Sequence, residues 1–74
     1  MNDPGRAEPY LRKVAGNPEN PLNYQRDANL LLSAIYERRG DVSRSTFVRN
    51  TYLIQNEKLQ NADLTREIER LRFQ

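Results

Sequence analysis

The sequence predicts an all-α chain: a helical hairpin with an extended N-terminal arm and a long C-terminal helix that packs against other helices, coiled-coil-like. Three observations carry this. All four prolines and two of the three glycines lie within residues 1–21, so regular structure is concentrated after them. Residues 21–39 carry apolar side chains at helical spacing between Pro21 and Gly40. From Ser43 to Gln74 no proline or glycine interrupts the chain.

Length limits what such a chain can bury. At 74 residues it is one domain, which covers only about 60% of its unfolded surface on folding. Small domains usually add disulfides, a metal or self-association. There is no cysteine and no histidine, which removes disulfides, thiolate metal sites and the commonest general base. Oligomerisation or a protein partner is therefore the expected source of extra stability.

Residues 1–20 read as an extended arm with a short helix over 9–15. Pro9 is tolerated in a first helical turn and Gly16 serves as the stop. Tyr10, Leu11 and Val14 share a face at three- and four-residue spacing and are expected to dock the arm. The following NPENP is a turn-rich connector.

Residues 21–39 form the first long helix, with Asn20 as N-cap, Pro21 at the first helical position and Gly40 past the exit. Tyr24, Ala28, Leu31 and Ile35 make its apolar stripe, widened by Leu32. Residues 40–42 are a turn. The second long helix spans 43–74, with Asp41 or Ser43 as cap, and is about 48 Å long at 1.5 Å per residue. A chain of this size cannot cover such a helix from one side. Either it breaks near residues 61–63 or it meets another helix. Its three-and-four seam runs 47, 50, 54, 57, 61, 64, 68, 71, where Phe47, Ile54, Leu64, Ile68 and Leu71 are apolar and the other three are not. Tyr52, Leu59 and Ala62 lie off that seam, a second stripe that implies packing on two sides.

The net charge of +2 is evenly spread, so an electrostatic footprint must be local. The densest stretch is RRGDVSRSTFVRN, residues 38–50. Within it VSRSTFVRN resembles the second half of helix-turn-helix units. That resemblance makes Val42 and Phe47 packing residues and offers Ser43, Arg44, Ser45 and Arg49 to nucleic acid, as guanine- and phosphate-binding groups; Arg38 and Arg39, just before it in the same basic stretch, are candidate contacts beside them. The first half departs from the pattern: aligned on Val42, the small-residue and glycine positions hold Glu37 and Asp41. The competing expectation is a capped turn between packed helices.

No phosphate loop, metal cluster or nucleophile constellation is visible. The chain is expected to be non-enzymatic, with no cofactor, no metal and no small-molecule substrate. No apolar run exceeds three residues, as at 30–32, and the N-terminus lacks a signal-peptide core. The expected setting is the cytoplasm or the interior of a virion or other particle, without secretion by a signal peptide or a membrane partner. The sequence thus predicts a small assembly or adaptor protein, a structural or scaffolding component acting through helix packing. The alternative is a DNA-binding accessory or regulator that dimerises through its C-terminal helix. A third reading is a small inhibitor that plugs a protein surface.

Overall fold

The computed structural model describes residues 4–72. It contains three helices in chain order, α1 (Pro4–Gly16), α2 (Leu22–Arg38) and α3 (Val42–Arg72). Helices α1 and α3 both pack on α2 and not on each other. The molecule is 50 Å long and 23 × 21 Å across, its length set by α3.

The N-terminal segment corrects the arm expected from sequence. Residues 4–16 are helical rather than extended, and the helix starts five residues before Pro9. Pro4 supplies the favoured first-position proline. Pro9 sits inside, where it forfeits one backbone bond. The early turn is held instead by tertiary contacts. Glu8 accepts a 3.1 Å hydrogen bond from the Tyr36 hydroxyl and a charged one from Arg39. The docking residues are also redistributed. Leu11 is buried and Val14 packs against the core, whereas Tyr10 is exposed. The face of α1 that meets α2 runs through Glu8, Leu11 and Ala15, and Tyr10 lies off that row.

Asn20 does not cap α2 with its side chain. Pro21 occupies the cap position, and the Asn20 amide donates to the Val14 carbonyl at 3.1 Å, tying the connector to the end of α1. Gln25 reaches back to the Asn20 carbonyl at 2.7 Å. At the other end of α2, Gly40 adopts φ +73°. The Asp41 N–H bonds to the Tyr36 carbonyl and the Gly40 N–H to that of Glu37, the paired pattern of a Schellman exit. Asp41 then caps α3, accepting from the Arg44 N–H at 3.1 Å. One residue thus closes one helix and opens the next, so the turn is as short as the sequence implied.

The core is small: Leu11, Ala28, Leu32, Tyr36 and Val48, flanked by Val14, Ala15 and Ile35. The buried row of α2 is Ala28, Leu32 and Tyr36, rotated from the expected stripe, and Tyr24 and Leu31 face outward. Toward α3 the packing is mixed. Asn29 and Ser33 of α2 and Ser45 of α3 are buried beside the apolar row. The Asn29 amide donates to Gln55 at 2.9 Å, Gln55 donates to Gln25 at 3.4 Å, and Arg26 donates to Asn56 at 3.2 Å. No buried side-chain polar atom lacks a partner among the described residues, so this polar layer fixes register without an orphan group.

Candidate interaction surface

Helix α3 has two faces of different character. The face against α2 runs through Ser45, Val48, Tyr52, Gln55 and Leu59. At 100° per residue the seam through Phe47, Ile54, Leu64, Ile68 and Leu71 lies roughly half a turn away. All five of its apolar side chains are exposed, Phe47 at 72% and Leu64, Ile68 and Leu71 at 60%, 58% and 60%. The more apolar stripe of α3 is therefore the one its own chain leaves uncovered.

The division is longitudinal as well. Leu59 is the last residue of α3 that is even partly buried, and every described residue from 60 to 72 is exposed. The α1–α2 body ends there, and about 20 Å of helix continues past it at 1.5 Å per residue. The helix does not break at 61–63. Beyond Leu59, ion pairs run along its surface, Arg66 with Asp63 at 3.8 Å and Arg70 with Glu67. Of the five seam residues, Leu64, Ile68 and Leu71 are gathered on this overhang. Phe47 lies apart, at the edge of an open groove of about 490 Å³ over α2, together with Leu32, Tyr36, Val48, Ala15 and Arg12.

The arginines of residues 38–50 are exposed, and three of them are paired with carboxylates of their own chain. Arg39 is paired with Glu8, Arg49 with Glu37 across the hairpin, and Arg44 with Asp41 at 3.6 Å. The Arg44 guanidinium also lies 6.0 Å from the centre of the Tyr36 ring, within cation–π range. Arg38 and Ser43 are exposed. Ser45 is 6% exposed and belongs to the α2–α3 contact, which corrects its placement among groups offered to nucleic acid. A small side chain is needed there because α2 passes close over it. The contacts between the two helices run from Gln25–Gln55 at one end of α2 to Glu37–Arg49 at the other. Helices α2 and α3 are thus antiparallel neighbours along the length of α2, whereas a helix-turn-helix crosses its helices at about 90–120°.

Glu8, Tyr36, Arg39 and Arg12 form a polar cluster that sequence reasoning did not anticipate. The Arg39 hydrogen bond holds the Glu8 carboxyl below its ordinary range against the opposing effect of desolvation, with Tyr36 and the charge of Arg12 adding to it. Burial first, then the bond to Glu8, pushes the Tyr36 hydroxyl upward. Only the four-residue spacing of Ala28, Leu32 and Tyr36 could have signalled Tyr36; nothing local signals Glu8. The cluster staples α1 to the end of α2. Among the described residues no group of three acidic, histidine or cysteine side chains is placed to hold a metal ion. Among the described residues no helix is long and apolar enough to cross a membrane.

Compared with protein-family models, curated proteins and solved structures, the chain matches none.

Proposed function

We propose that this chain is a small non-enzymatic assembly protein, a structural or scaffolding component of a larger complex, that joins other helices through the outward seam of α3. The observation that carries this reading is the inversion on α3. The helix packs its mixed face on α2 and presents Ile54, Leu64, Ile68 and Leu71 to the outside. Exposed apolar side chains aligned along one helix mark an interaction surface, and a helix overhanging its own domain has the reach to meet a neighbour. A chain with so small a core also gains most from association.

The geometry lends less support to the DNA-binding reading. Arg39, Arg44 and Arg49 are paired with Glu8, Asp41 and Glu37, and the antiparallel hairpin differs from the crossing that presents a recognition helix.

The test is sedimentation of the wild-type chain and of Ile68→Asp. The wild type should sediment above the 8.7 kDa of one chain, and the variant as a single chain, because a carboxylate in an apolar seam is costly to bury. Equal masses for the two would remove the seam from the account.

A further inference from the structure

We infer that the occupant of the overhang is a second copy of this chain, its α3 lying parallel and in register, so that residues 61–72 of two copies form a two-stranded coil. The inference rests on the assembly reading above and narrows it to one partner, one orientation and one register.

The layers come first. In the heptad that the seam defines, Ile54, Asn61 and Ile68 are a positions and Leu64 and Leu71 are d positions. Branched Ile at a with Leu at d favours two parallel strands, and a single Asn at an a position fixes register and number. In the parallel arrangement each Asn61 sits beside its twin, where the two amides can bond to each other. In the antiparallel arrangement that keeps the apolar layers paired, Leu64 faces Ile68 and Asn61 faces Leu71. The amide is then buried without a partner, at the cost that attends such groups.

The flanking charges give the same answer independently. Glu67 is a g position and Arg72 the e position five residues on, the pair that meets across a parallel dimer. Two-fold symmetry makes that contact twice. Glu67 is braced from its own helix by Arg70, which lies toward the outside of the coil. The antiparallel register instead brings Glu67 against Glu67 of the second copy and Lys58 against Arg72. Like charges meet in one orientation and opposite charges in the other.

The body of the molecule permits the coil and limits it. Helix α2 occupies the opposite face of α3 and ends beside Leu59, so it leaves the seam open. Glu57 and Asn50 occupy the two d positions before Leu64. Two Glu57 carboxylates facing each other at one layer are repulsive, so the helices diverge on the N-terminal side of residue 61.

Single-cysteine variants test orientation, since the chain has no cysteine of its own. In a glutathione redox buffer, Leu71→Cys should link into a covalent dimer, and adding Ile68→Asp to the same chain should abolish the link. Arg72→Glu and Glu67→Arg, both on the exposed overhang, should each weaken self-association roughly tenfold, and mixing the two should restore it. A mass of two chains in which Leu71→Cys stays reduced, while a mixture of Asn61→Cys and Leu71→Cys forms the mixed disulfide, overturns the parallel dimer and leaves the assembly reading standing. A mass above two chains overturns the two-stranded coil alone. A single-chain mass for the cysteine-free protein at every concentration overturns both.

Discussion

Gly40 and Glu8 show how single residues hold this fold. Gly40 carries φ +73° with nothing within 4 Å of where a Cβ would sit, so its requirement is conformational and not steric. Gly40→Ala should cost about 1–2 kcal/mol in urea unfolding, the penalty of an L-residue in the left-handed region, and Gly40→Asn distinctly less. Equal losses for the two would mean that the left-handed exit is not what the glycine supplies. Glu8 makes a pH-dependent contribution with a definite sign. Its carboxyl is held below the ordinary range in the fold, so the folded state binds fewer protons there than the unfolded one. The stability it adds is complete above the usual carboxylate pKa of about 4 and is lost as pH falls through the folded value. Glu8→Gln should therefore lower the midpoint of denaturation at neutral pH and flatten its decline in acid. A variant with the same acid slope as the wild type would show that the Arg39–Glu8–Tyr36 contact does not stabilise the fold. The turn at Gly40 and Asp41 was legible in the sequence, because its backbone demands are local. The Glu8 contact was not, because it joins residues 31 positions apart.

At the scale of elements, the hairpin and the overhang of α3 obey different rules. Leu32 is 2% exposed at the centre of a five-residue core, and Leu32→Ala should lower unfolding stability by about 2–5 kcal/mol. Leu64→Ala shortens an exposed side chain outside the core, so it should leave the stability of a dissociated chain within about 0.5 kcal/mol of wild type while weakening association. Amide exchange separates the two regions further. A dozen unpacked residues make a marginal helix in water, so amides in 61–72 should be protected in the associated protein and exchange freely in Ile68→Asp, with 45–59 protected in both. Protection of 61–72 in the dissociated variant would contradict the dependence of the overhang on a neighbour. The existence of two long helices was legible from proline and glycine placement and from periodicity. Their mutual rotation was not. Helix α3 turns Ser45, Val48, Tyr52 and Gln55 to α2, a stripe with little hydrophobic contrast, and its burial rests on small side chains and the Asn29–Gln55 bond. Helix α1 was read too short for a related reason: Pro9 looks like a start, and the contacts that carry the helix past it lie on α2.

The whole molecule joins a body too small to be strongly stable to a helix that extends beyond it. The arginines that suggested DNA are largely spent on intramolecular carboxylates. Light-scattering mass with a short duplex should accordingly match the mass without it at moderate salt. A complex that forms at low salt and dissociates as salt rises would restore the nucleic-acid reading. Self-association through α3 is tested by sedimentation equilibrium of the wild type beside Ile68→Asp over a range of concentrations. Association through the α3 seam predicts a wild type that approaches twice the 8.7 kDa chain mass and a variant that remains at one. Wild type and variant both at one chain, or both at the same larger mass, would contradict it.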